Sequence, residues 1–118
     1  MASGKVNTGT KLVPLWTNPS PTSSFAAQDV SVDLSPYDWF VVETRWSTTS
    51  DLVLPLEMFE VDENRHMVWM GNNSSNRTGG RVFTYSISNK EISFEGGYYN
   101  GSASNAYVIP LAVYGVKL

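Results

Sequence analysis

The sequence predicts an all-β fold, a two-layer β-sandwich of jelly-roll-like character with about eight strands. Apolar and polar residues alternate with period two in several short segments, no window of helical length shows three-to-four spacing, and proline- or glycine-bearing stretches separate the segments. At 118 residues the chain is long enough for one two-layer core and too short for two. Residues 1–10 are small, polar and without periodicity, which predicts a flexible lead-in; 11–118 is then a single sandwich domain.

Leu12–Trp16 has the apolar content of a strand, but Pro14 has no donor for a ladder and places it at a sheet edge or a bulge. Thr17–Ser24 carries two prolines and reads as turn and irregular chain, after which Phe25-Ala26-Ala27 returns an apolar plug to the core. Val30, Val32 and Leu34 alternate with Asp29, Ser31 and Asp33, the pattern of a half-buried strand, and Ser35-Pro36-Tyr37-Asp38 is the turn that ends it. Asp38–Trp46 is the expected central strand: Phe40, Val42 and Trp46 fall on one side, Trp39 and Val41 on the other. Further along, Glu43 and Arg45 share a face and are expected to form a surface charge pair.

Leu52, Leu54, Leu56 and Met58 alternate along a predicted next strand that Pro55 marks as edge or bulged. A charged hairpin turn over 61–65 leads into a return strand over 66–70, and 71–80, GNNSSNRTGG, reads as a long mobile loop. Phe83, Tyr85 and Ile87 then define one face of a strand, and Ile92 and Phe94 begin another. Gly96–Gly101 reads as a glycine-rich loop displaying two adjacent tyrosines. The last strand, Ala106–Val116, is apolar on both faces yet holds Pro110, where a bulge or change of partner is expected.

Composition narrows the function. Charged residues make up 16% of the chain, well under the roughly 25% of an average domain, so Ser, Thr, Asn and Gly must cover the surface. The net charge of −3 with 8 scattered basic residues offers no stripe to neutralise phosphates, which argues against nucleic acid. No run approaches the ~20 apolar residues that span a bilayer as a helix, so no membrane insertion is expected. Without cysteine there is no thiolate metal site or cysteine nucleophile. The acidic turn Glu60, Asp62, Asn64 lacks the glycine and bidentate glutamate of a calcium loop; no metal or cofactor is expected.

Glycoside hydrolysis needs paired carboxylates, and Glu43, Glu57, Glu60 and Glu95 would have to meet in space. With one histidine, His66, read as a partly exposed strand residue without a carboxylate partner, and no nucleophile motif, a non-enzyme is expected. The aromatics are the better candidates. Trp69, Tyr98 and Tyr99, flanked by Asn100 and Asn73, offer flat rings for the apolar faces of sugars and amides for their hydroxyls. Trp16, Trp39 and Trp46 are read as packing.

The runs Leu15-Trp16-Thr17-Asn18-Pro19-Ser20-Pro21, Ser24-Phe25-Ala26-Ala27-Gln28, Val32-Asp33-Leu34-Ser35 and Tyr37-Asp38 resemble a small β domain of tail, fibre and baseplate proteins of bacteriophages and prophages. The closing segment, Ile109-Pro110-Leu111 to Tyr114-Gly115-Val116-Lys117, is similar to the chain ends of those proteins. The likeness covers the first third and the last tenth of the chain and carries no binding or catalytic residues with it. It implies a virion structural or adhesion module of a tail fibre, baseplate or head fibre. It further implies homo-oligomeric assembly, commonly three-fold in such fibres, with other virion proteins and host surface polysaccharide as partners. The location implied is the phage particle, extracellular after host lysis. A free-standing carbohydrate-binding module and a purely structural spacer are the alternatives.

Overall fold

A computed structural model describes residues 11–63, 65–72 and 77–117, so the lead-in expected over 1–10 lies outside the described residues. Ten strands follow in order: β1 (Lys11–Thr17), β2 (Gln28–Ser31), β3 (Trp39–Ser47), β4 (Ser50–Val53), β5 (Met58–Glu60), β6 (Arg65–Asn72), β7 (Arg77–Ser86), β8 (Glu91–Tyr99), β9 (Ser102–Ala103) and β10 (Tyr107–Lys117). They form two antiparallel sheets packed as a sandwich. Sheet A runs β1-β10-β3-β4, with β5 also on β3; sheet B runs β2-β8-β7-β6, with β9 also on β8. The two strands beyond the expected eight come from short pieces, β9 and the division of one segment into β4 and β5.

The outer half of the chain is jelly-roll-like. β1 pairs with β10 and β2 with β8, so the two ends wrap together as a ribbon crossing from one sheet to the other. The inner half departs from that pattern, because β6 and β7 form a local hairpin.

Proline explains the irregularities. β1 is an edge strand whose register shifts between Pro14 and Trp16, and β10 bulges between Pro110 and Ala112, as a missing donor requires. Asn18 secures the second bulge by donating from Nδ2 to the Pro110 carbonyl at 2.7 Å. At Pro55 the outcome differs from expectation. The chain leaves the ladder between β4 and β5, so Leu54 alone of the alternating set turns inward, 2% exposed, while Leu52, Leu56 and Met58 face solvent.

The core joins the inner faces of both sheets: Val30, Val32 and Leu34 before the turn, Phe40 and Val42 on β3, Phe83 and Tyr85 on β7, Ile92 and Phe94 on β8, and Val113 on β10. Rings run through it, Phe25 edge-on to Phe94 at 5.4 Å, Phe94 tilted on Phe83 at 5.7 Å and Phe83 edge-on to Phe59 at 5.2 Å. Each such ring contributes about 1.5–3 kcal/mol by burial. The Tyr85 hydroxyl accepts from the Leu34 backbone N–H at 3.1 Å, so this buried phenol is satisfied. Ile87 lies beyond the end of β7 in the turn and is exposed, not on the buried face expected for it.

Several polar expectations change. Arg45 pairs with Asp51 at 3.6 Å and donates to the Ser47 carbonyl at 2.9 Å, while Glu43 accepts from the Tyr114 hydroxyl at 3.4 Å; the two do not pair with each other. His66 does have a carboxylate nearby, with Asp62 Oδ1 3.4 Å from Nε2, and its ring packs against Phe40, Phe59 and Phe83.

Candidate functional site

The segments expected to be loops are largely strand. β8 continues through Gly96 and Gly97 to Tyr99, and β6 and β7 take in Gly71–Asn72 and Arg77–Gly80; Asn73 lies outside the described residues. Asn100 (φ 52°) and Gly101 (φ 86°) close a two-residue hairpin between paired Tyr99 and Ser102. Positive φ at both centres is the type I′ turn that an Asn-Gly step favours. The Asn100 N–H is held by the Thr78 carbonyl at 2.6 Å.

Successive side chains of a strand point to opposite faces, so Tyr98 and Tyr99 separate. Tyr98 is 44% exposed. The register puts Trp69, Gly80, Tyr98 and Ala103 in one row across β6, β7, β8 and β9, which brings two of the expected aromatic positions onto a common line. Tyr99 turns the other way. Its ring stacks on Tyr107 at 4.0 Å and 18°, and Trp46 closes edge-on against both at 6.1 and 5.5 Å. A Cβ on Gly79 would stand 2.7 Å from the Trp46 ring, so the indole packs directly on backbone there.

What fixes this end of the sandwich is Arg81, 1% exposed. Its Nε donates to the Val108 carbonyl at 2.9 Å, Nη1 to those of Phe25 at 2.9 Å and Glu95 at 2.8 Å, and Nη2 to that of Tyr107 at 3.0 Å. Its guanidinium carbon lies 5.4 Å from the Phe25 ring centroid. One side chain of sheet B thereby holds the start of β10 in sheet A and with it Tyr107, on which Tyr99 rests. Burial lowers the Arg81 pKa to about 10, so the group remains a cation at neutral pH. Sequence reading passed over Arg81, although alternation with Phe83 and Tyr85 already set it on the inward side.

At the opposite end Pro36, Tyr37, Asp38, Trp39, Val116 and Lys117 line a depression of about 200 Å³. Trp39 and Trp46 are seven residues apart on β3, so the two ends are separated by about 23 Å at the usual strand rise. Trp39, read from sequence as packing, is half-buried on the outer side of the sheet.

The acids do not converge on a cleft. Glu43 lies on sheet A, Glu95 is exposed on sheet B, and Glu57 and Glu60 are exposed along the β5 edge. Among the described residues no three His, Asp or Glu side chains gather as metal ligands would. The fold and this geometry define a β-sandwich domain with an aromatic, amide-bearing pole. Comparisons with protein-family models, curated proteins and solved structures found no match.

Proposed function

We propose that this domain is a structural and adhesion module of a phage virion, part of a tail fibre, baseplate or head fibre, whose aromatic pole contacts host-surface glycans. The observation that carries the binding role is the row Trp69–Gly80–Tyr98, ending beside the Asn100–Gly101 turn. Tyr98 offers a free ring face for a sugar, and a turn held to Thr78 presents the Asn100 amide at little entropic cost. The phage context rests on the resemblance of the first third and last tenth of the chain. In that setting several copies act together, three in the commonest fibre arrangement, so weak contacts by each sum to firm attachment. The module works without catalysis or cofactor, within the virion and outside the cell after lysis.

The test is binding of the purified domain to a panel of bacterial surface polysaccharides, together with immunolabelling of phage particles. Binding that falls at least tenfold in a folded Tyr98→Ala variant, with label on the particle, is the expected result. Particle label without polysaccharide binding would leave a structural spacer. Polysaccharide binding with no particle label would leave a free-standing carbohydrate-binding module.

A further inference from the structure

Two rows on the outer face of sheet A reach both of its edges. On sheet B the outward positions beside β2 are Asp29, Ser31, Thr84, Ser86, Glu91 and Ser93, with Val82 and exposed Tyr98 further across the same face. On sheet A the two rows run from edge to edge, Pro14–Tyr114–Val41–Met58 and Leu12–Val116–Trp39–Glu60, apolar apart from Glu60 and the Tyr114 hydroxyl, and Glu43 shares the face. The middle of that face is already closed, since Val41 and Val116 are buried beneath their neighbours. Apolar surface remains at the two edges. Leu52, Val53, Leu56 and Met58 are 46–50% exposed along the β4–β5 edge, and Leu12 is 42% exposed on the β1 edge. Four large half-exposed apolar side chains in seven residues make a patch that a soluble surface rarely leaves open.

The edges also carry opposite charge. Lys11 and Lys117 stand directly opposite each other in the β1–β10 ladder, a like-charge pair that destabilises the strand end, and among the described residues neither has an ion-pair partner. Glu60 ends the row beginning at Leu12, one residue from the Lys11–Lys117 level, and exposed Glu57 stands three residues further along the same edge, just before β5. Lys11 on the β1 edge, with Lys117 beside it on β10, and Glu60 on the β5 edge therefore lie at similar height along the strands.

We propose that the β1 edge of one copy, with Lys11 and Leu12 and with Lys117 beside them on β10, seats against the β4–β5 edge of a second copy, with Glu57, Glu60, Leu56 and Met58. A face-to-face pairing of two A sheets would add little, because the centre of the face is already covered. Pro14 on one edge and Pro55 on the other interrupt the main-chain ladder, so the contact is made by side chains and does not extend the sheet. A head-to-tail contact of this kind closes into a ring when the rotation per copy divides a full turn. The inference deepens the proposed function by naming the surface through which copies meet, and it makes no use of the aromatic pole.

The experiment is light scattering and sedimentation of the full chain over a range of concentration and salt. The wild type should be an oligomer that weakens as salt screens the edges. Glu57→Lys with Glu60→Lys, and Lys11→Glu with Lys117→Glu, should each weaken association on the order of tenfold or more, and all four changes in one chain should restore it. Met58→Asp, on the surface and with an intact fold to be checked by circular dichroism, should dissociate it as well. A monomeric wild type, an oligomer indifferent to these variants, or failure of the fourfold exchange to restore association would each overturn the proposal. Polysaccharide binding by a monomeric wild type would sink this contact and leave the glycan reading intact; the expected oligomer without polysaccharide binding would do the reverse.

Discussion

Arg81 Nε donates to the carbonyl of Val108 at 2.9 Å, and Val108 is a β-branched residue standing at φ 50°. That left-handed backbone costs about 1–2 kcal/mol, and it persists because neighbouring bonds over-determine it. Val108 is itself fully buried, so the strained residue is both packed and tied.

Arg81→Lys is expected to destabilise the domain by about 3 kcal/mol or more, measured by urea unfolding. A lysine has no planar fork to reach four carbonyls, and those left unbonded are buried. The near-ultraviolet signal of Tyr99 and Tyr107 should fall with it. With its pKa held at about 10, Arg81 is charged in the folded and unfolded chain at neutral pH and adds no slope to stability there.

Tyr98→Ala and Tyr99→Ala should part company. The first removes an exposed ring and should shift stability by less than about 1 kcal/mol while weakening glycan binding. The second breaks the 4.0 Å stack on Tyr107 and should cost about 2–4 kcal/mol. Equal unfolding midpoints for the two variants would contradict this division.

Gly97→Ala and Gly101→Ala separate two reasons for glycine. A Cβ on Gly97 would stand 2.6 Å from the Tyr107 carbonyl oxygen and 2.9 Å from Arg81 Nη2, so that variant should unfold or lose several kcal/mol, about 3 or more. Around Gly101 there is open space and only φ 86° is at stake, so its variant should lose about 1 kcal/mol. Thermal melts of the pair give the comparison.

Asp33 has its pKa lowered from 3.8, chiefly because the Ser35 hydroxyl and then the Ser35 backbone N–H donate to its carboxylate, at 2.6 and 3.0 Å. A lowered folded value means that stability from this group is present above the unfolded pKa and is lost as pH falls through the folded one. Carboxyl-carbon NMR titration should place Asp33 below 3.8, and Ser35→Ala should move it back up. An unmoved titration in that variant would refute the assignment.

Much of the fold was legible because alternation and proline act locally. Val30, Val32 and Leu34 are buried as their spacing requires, and Pro14 and Pro110 sit at the edge and the bulge their chemistry demands. The Leu52–Met58 alternation misled because period two presumes an unbroken ladder, and the chain leaves it at Pro55. Glycine-rich 77–80 and 96–97 looked like loops for a related reason: glycine is weak in strands unless something lies over it, and the Trp46 ring over Gly79 and Arg81 beside Gly97 are long-range neighbours. At the candidate site, the sequence marked Tyr98 and Tyr99 together but not their division, since adjacency in a displayed loop and adjacency in a strand have opposite consequences for the two.

The pairing of Lys11 with Lys117 sets the N-terminal and C-terminal sides of the domain next to each other at the end far from Tyr98. Backbones so placed are about 5 Å apart, a gap that a few glycines would bridge. A circular permutant joined there and reopened between Asn100 and Gly101 would hang from the Tyr98 end. Grafted through the Lys11 and Lys117 strand ends into a surface loop of another protein, the domain would instead stand as a side branch with Tyr98 outermost, ready for use as a display scaffold.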